Sequence, residues 1–329
     1  MSAVLAIEDL RRSFGRGQRL IRANDGISMS IDAGEVVGLL GHNGAGKTTL
    51  AHQIVGLLRP DSGRIILDGG DAVADPGRAR RLTTVQAQAN VPITGLTPRR
   101  AIELVGRIRG GNPRQARQRA GQLIDALDMG EWAHTPAERV SGGIARLTAF
   151  AMCAVIPGRL VILDEPTNDV DPVRRRLLWD QIRVLADDGS AVLLVTHNVH
   201  EAERAVDSLV VLDRGRVIAS GTPAALVSQV GAGGAELVME VDIARGREPL
   251  WPGWGRVARH DALRASFPVP GSEAANAVAW AVRASRAGDI ERYELAPVSL
   301  EDAYTALTTR RSSQPSTTRP AASDSRSAA

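Results

Sequence analysis

Lysine is almost missing from this chain. Of its 40 Lys and Arg residues, Lys47 is the only lysine. A GC-rich coding sequence accounts for the arginines but not for the exception. Lys47 stands where a compact ammonium fits and a planar guanidinium does not. Cysteine is scarce too: Cys153 stands alone, which excludes an intrachain disulfide and fits a reducing compartment. No apolar run approaches the roughly 18 residues of a membrane-spanning helix. The longest, 147–156, is too short. Glu8, Asp9, Arg11 and Arg12 come early, so no signal peptide is expected. Charge of one sign is lacking as well. Against the 40 basic residues stand 37 acidic ones, and the net of +3 is too small and scattered to form a nucleic-acid patch. The histidines lack metal-ligand spacing. Secreted, integral-membrane and disordered classes are set aside. With 43% hydrophobic and 23% charged residues, the 329-residue chain has an ordinary folded composition and room for two domains.

Short apolar, β-branched runs at 35–40, 160–163 and 191–195 predict buried parallel strands. Helices are expected at 47–57 and 172–187, and a mostly helical stretch over 95–156. Residues 4–10 and 27–32 alternate weakly, as edge or sandwich strands do, and 64–67 predicts another strand. The runs 209–212 and 216–219 flank Asp213-Arg214-Gly215 as a hairpin. The character changes near Gly221-Thr222-Pro223, and Ala232-Gly233-Gly234 reads as a linker. Beyond it come a strand at 236–243, a helix at 273–287, a strand at 290–295 and a helix from about 300. Ser299-Leu300-Glu301-Asp302 has the form of a capping box opening that helix. Residues 311–329 are Ser, Thr, Pro, Ala and Arg without periodicity, and a disordered tail is expected.

Gly41-His42-Asn43-Gly44-Ala45-Gly46-Lys47-Thr48 fits the Walker A pattern, between a predicted strand and a predicted helix. Phosphates need converging backbone N–H groups without side-chain bulk, at a helix N-terminus whose dipole favours anions. Lys47 then reaches the β- and γ-phosphates, and the Thr48 hydroxyl ligates Mg²⁺. The bland alternative is a Gly-rich turn before a helix. At 160–165, four apolar residues end in adjacent carboxylates. Asp164 would hold Mg²⁺, usually through water, and Glu165 would act as general base. Alone, that pair reads equally as a solvated acidic turn. Val140-Ser141-Gly142-Gly143 forms a second N–H nest opening a helix; in isolation it is an ordinary N-cap. His197 follows the strand at 191–195 and can bond a γ-phosphate or the attacking water. Cys153 reads as a buried small hydrophobe.

In order and spacing, these motifs over residues 3–223 resemble the nucleotide-binding subunit of an ABC transporter. The resemblance implies an α/β fold, a P-loop NTPase of the ABC ATPase type. Its parts are a RecA-like core, an antiparallel β subdomain and a helical subdomain at about 89–157, followed by a small C-terminal α/β extension at 235–309. It implies ATP and Mg²⁺, with Thr49 joining residues 41–48 around the phosphates. Phe14 resembles the aromatic that stacks on adenine; a core Phe is the alternative. Gln88 resembles the Q-loop glutamine, which joins Mg²⁺ and water to the membrane partner. Its distance to Leu96-Thr97 favours it, and Gln86 competes. Ser141, Gly142 and Gly143 would face the γ-phosphate held by a second subunit. In the loop 168–171, Asp171 is the usual carboxylate. Ile144 departs from the family's Gln, so a working but slower or less tightly clamped site is expected. Pro297-Val298-Ser299-Leu300-Glu301-Asp302-Ala303-Tyr304 is similar to the C-terminal extension of bacterial ABC-2 exporter ATPases of the daunorubicin-resistance type.

The resemblance therefore implies a head-to-tail homodimer. It also implies a separate ABC-2 type transmembrane permease, a cytoplasmic position on the inner membrane face, and export of a drug-like or lipid-like compound. Three alternatives stay open: a non-transport ABC ATPase, a P-loop kinase or GTPase, and a regulatory module that holds ATP with little turnover.

Overall fold

The computed structural model describes residues 3–89, 93–199, 203, 205–231, 236–253 and 257–312. One sheet is antiparallel, in the order β2-β1-β4-β5. It is built from β1 (Leu5–Phe14), β2 (Ile21–Ile31), β4 (Ser62–Leu67) and β5 (Gly70–Asp71). The second contains β3 (Val36–Leu40), β6 (Thr83–Gln86), β7 (Leu160–Asp164), β8 (Ala191–Thr196), β9 (Ser208–Asp213) and β10 (Arg216–Gly221). Its order is β10-β9-β3-β8-β7-β6, parallel except for the β9–β10 hairpin. Successive residues of its central strands face two different cores. Leu160, Ile162, Leu193 and Val195 pack toward the antiparallel sheet, against Leu5, Ile27 and Ile31. Val161, Leu163, Val192 and Leu194 pack on the other face, toward the helices. A strand buried on both faces has no place for a polar residue, hence the unbroken apolar runs.

Four helices share one opening. Asp75, Thr97, Asn112 and Asp171 cap α2 (Pro76–Leu82), α3 (Pro98–Ile108), α4 (Pro113–Ala126) and α6 (Pro172–Asp187), and each is followed by Pro. The cap oxygen takes an orphan N–H, and Pro has none to lose. The helical arm comprises α3, α4 and α5 (Gly142–Ala154). Helix α1 (Lys47–Ile54) stops short of the expected 57, where Gly56 takes φ +68 against Pro76.

A third sheet follows, in the order β12-β13-β11-β14, with all pairs antiparallel: β11 (Leu237–Ile243), β12 (Ala258–Arg259), β13 (Arg264–Val269) and β14 (Ile290–Pro297). Helix α8 (Ala274–Arg286) closes its core, where Phe267 meets Trp280 edge-on. Strand β13 is not among the strands expected from the sequence, and it carries Pro268. The proline is tolerated because β12 pairs only with Ala265 and Ser266, so the Pro268 edge needs no N–H there.

The chain's division differs from the sequence reading. Helix α7 (Pro223–Gly231) continues the core of the parallel sheet past 223. The last helix, α9 (Leu300–Ser312), returns to that core instead of staying with the third sheet. Leu226 and Leu300 pack with Leu40, Leu209 and Val211. The expected linker at 232–234 lies outside the described residues, as does 313–329 of the expected tail. Residues 311–312 belong to α9. No helix among the described residues is long and apolar enough to cross a membrane.

Candidate active site

The parallel sheet brings three segments together, because β3, β8 and β7 are neighbours and end at the same edge. After β3 the chain turns through 41–46 into α1. Gly46 takes φ +107, and a Cβ there would lie 2.2 Å from the Ala23 carbonyl oxygen and 2.8 Å from Asn24 Nδ2. Asn24 Nδ2 donates to Gly46 O at 3.2 Å, so β2 braces the turn. Gly44 takes φ +85 with open space around it. The Lys47 side chain folds back, and Nζ donates to Gly41 O at 2.5 Å and to His42 O at 3.2 Å. Burial lowers its pKa, while Glu165 and Asp164 pull it back up. His42, Asn43, Gly44 and Thr48 are exposed, Gly46 and Thr49 half-buried, and Gly41 and Ala45 buried.

Glu165 follows β7 with φ +50 and is 4% exposed. Thr196 Oγ1 donates to its Oε2 at 3.0 Å, and the His197 main-chain N–H donates to Oε1 at 2.9 Å. His197 Nδ1 lies 2.6 Å from the same Oε1. A carboxylate accepts, so that contact places the ring proton on Nδ1. Asp164 is half-buried; burial and then Glu165 raise its pKa, opposed by Lys47, Arg146 and His52. Two adjacent carboxylates beside one hydroxyl-bearing loop are the oxygen donors Mg²⁺ takes, with waters and phosphate completing its shell. Among the described residues, no group of three or more His, Cys, Asp and Glu could hold a metal by itself.

The remaining sequence-selected residues divide. Gln86 is 1% exposed and donates to Arg146 O at 3.3 Å, whereas Gln88 is exposed in the following bend. Ser141 caps α5, accepting from Ile144 N at 3.3 Å. Gly142 is exposed. Gly143 has a packing reason of its own, since a Cβ there would meet Asp169 O at 2.6 Å. Ile144 is buried in the helical core, so its missing polar group leaves nothing unsatisfied there. Asp171 caps α6 and pairs with Arg174, and these contacts lower its pKa. Phe14 is 40% exposed at the end of β1, with the Arg12 guanidinium 5.0 Å over its ring.

Sequence reading missed Asn24, Thr196 and Arg146. Thr196 could be found from its place beside His197. Arg146 is 5% exposed, donates to Ala87 O at 3.1 Å, and acts on Asp164. One arginine among the apolar residues of α5 was its faint signal.

The family model for ABC transporter matches residues 24–168. Over 319 residues, 93% of both chains, this chain is 33% identical to the doxorubicin resistance ATP-binding protein DrrA of Mycobacterium tuberculosis. The chain belongs to the ABC transporter family. It is also 39% identical over 211 residues, 64% of each chain, to the daunorubicin/doxorubicin resistance ATP-binding protein DrrA of Streptomyces peucetius. A solved ATP binding subunit of an ABC transporter superposes with a TM-score of 0.64 at 28% identity, over 70% of this chain and 95% of the other. Within this ABC ATP-binding subunit, the loop after β3, the carboxylates Asp164 and Glu165 at the end of β7 and His197 after β8 lie at one edge of the parallel sheet.

Proposed function

We propose that this ABC subunit hydrolyses ATP to drive export of a drug-like or lipid-like compound through a separate ABC-2 type permease. It works as a head-to-tail homodimer on the inner face of the membrane. The observation that carries the reading is Glu165, a buried carboxylate held by Thr196 and His197 next to Asp164 and facing Lys47. Backbone N–H groups of 41–46 and the Lys47 ammonium receive the phosphates, with Thr48 and Thr49 opening α1 beneath them. Lys47 exchanges its two carbonyl contacts for phosphate oxygens. Glu165 takes the proton from the attacking water, and His197 keeps it aimed. Thr48, Asp164 and Gln88 would hold Mg²⁺, which would supply charge neutralisation on the phosphates. Phe14 stacks on the base, and Ser141 with Gly142 and Gly143 of a second copy completes the site. Asp171 shapes the loop beside them by capping α6. The drug-resistance names of the relatives support export.

The test is steady-state hydrolysis with Mg²⁺ across protein concentrations, alongside Glu165→Gln. Turnover should rise more than linearly with concentration and fall about 10²–10⁴-fold in the variant, which keeps ATP binding. Unchanged turnover in the variant would remove the reading. ATP binding without wild-type turnover would favour the regulatory module.

A further inference from the structure

Strand β2 and the β9–β10 hairpin close on the back of the phosphate loop. Gly46 O accepts from Asn24 Nδ2 at 3.2 Å and from Leu50 N at 3.0 Å. One peptide earlier, Ala45 O accepts from Gly215 N, in the hairpin turn, at 2.9 Å. A trans peptide points its C=O and its N–H in opposite directions. Carbonyls held against β2 and the hairpin therefore turn the N–H groups of Gly46 and Lys47 the other way. Those groups then face out of the N-terminus of α1, where a helix has no partner for them. The fit leaves no slack: a Cβ on Gly215 would lie 2.7 Å from Ala23 O, and one on Gly46 2.2 Å from the same oxygen. Among these contacts only that of Asn24 comes from a side chain, and its place is unfavourable. Asn24 is 1% exposed; Nδ2 also donates to Ala23 O at 2.9 Å, but Oδ1 meets no donor among the described residues. A buried amide oxygen left unpaired opposes folding.

We propose that Asn24 is a positioning residue for the phosphate loop, one that raises nucleotide affinity while lowering fold stability. Its amide fixes the Gly46–Lys47 peptide, so that the N–H groups stay aimed at the phosphates. The proposal rests on the reading of 41–48 as the phosphate site. Asn24 is not placed on the nucleotide, so the effect belongs to binding and not to the hydrolytic step. The N–H groups of such a loop cradle phosphates that ADP and ATP share, so both lose affinity alike when the loop is loosened. A preformed loop spares the ordering cost that a loose one would meet on binding.

The full chain, wild type and Asn24→Leu, is titrated with fluorescent analogues of ATP and ADP. Turnover and the thermal midpoint without nucleotide are measured beside it. Leu is close to Asn in shape and removes the donor and the orphaned oxygen together. Kd for both nucleotides should rise about 3–10-fold, the worth of one hydrogen bond. kcat should stay within about twofold, and the midpoint should hold or rise. A residue with only a structural role would not lose affinity while keeping its midpoint. Asn24→Val, which is smaller, gives the same readings should Leu fail to fold. Wild-type affinity in a folded variant would overturn the proposal. So would a midpoint that falls together with affinity, or a loss confined to ATP. If the wild-type chain binds neither nucleotide, the phosphate-site reading falls, and this proposal falls with it; wild-type binding with unchanged affinity in the variant overturns the proposal alone.

Discussion

At the residue scale, the site holds charge where burial opposes it. Asp164 has its pKa raised by burial first and Glu165 second. A carboxylate whose folded pKa lies above the unfolded one favours folding at acid pH, and that advantage is lost as pH rises through the raised value. At neutral pH the ionised Asp164 thus destabilises the ligand-free protein. Asp164→Asn should raise the thermal midpoint by a few degrees at pH 7 while losing Mg²⁺-dependent hydrolysis. The gap should close below about pH 3, where the carboxyl is largely protonated in both states. Melting curves at the two pH values check this, and an equal gap at both would refute it. Cys153 shows burial prevailing over a nearby arginine: its thiol is pushed up to about 12 against the opposing pull of Arg109, which leaves it protonated and inert at neutral pH.

At the scale of elements, the two positive-φ glycines of the phosphate loop do different work. Gly46 touches the neighbouring sheet, and a Cβ would strike the Ala23 carbonyl. A Cβ on Gly44 would meet no atom within 4 Å beyond its own chain neighbours. Gly46→Ala should therefore cost more than about 2 kcal/mol, backbone strain and a clash together. Gly44→Ala should cost about 1–2 kcal/mol, from strain alone. Urea unfolding gives both numbers. ATP titration should then find Gly44→Ala more impaired in binding than its stability loss explains, because its open space is where phosphate would approach. Equal stability losses would mean that β2 does not brace the loop. Helix α5 teaches a related lesson, for Gly143 is set by the nearby Asp169 backbone and Ile144 by the helical core.

At the scale of the whole molecule, one carboxylate joins the two sheets. Asp25 on β2 receives Arg216 of β10 at 2.5 Å and Arg11 of β1 at 2.7 Å, with Arg22 at 3.8 Å. The same region continues to the phosphate loop: Asp25 N donates to Gly215 O, and Gly215 N to Ala45 O. Burial pushes the Asp25 carboxyl up, but Arg216 and then Arg22 and Arg11 bring it below its ordinary value. A depressed folded pKa stabilises above the unfolded value, and the gain is lost as pH falls through the folded one. Asp25→Asn should cost about 1–2 kcal/mol at pH 7, modest because its arginines are half in solvent. The difference from wild type should shrink below about pH 4. Denaturant midpoints measured from pH 3 to 7 test it, and a difference independent of pH would sink the account.

The sequence by itself determined whatever depends on near neighbours. Unbroken apolar runs marked the strands of the parallel sheet, because burial on both faces leaves no room for alternation. A capping residue followed by Pro opened four helices, and Ser299 with Asp302 opened a fifth. The glycines and lone lysine of 41–48 marked a loop with converging N–H groups. Tertiary structure alone decided the matters that turn on distant partners. Gln86 and Gln88 are chemically alike and two residues apart, and only packing against Arg146 buries the first and leaves the second outside. Asp171 is taken up by the first turn of its own helix and by Arg174. Leu300 and Tyr304 carry no mark of their destination, since helical periodicity says which face of a helix is apolar and not which surface will cover it. That surface is Leu40 and the strands beside it, so α9 comes to rest behind the phosphate loop.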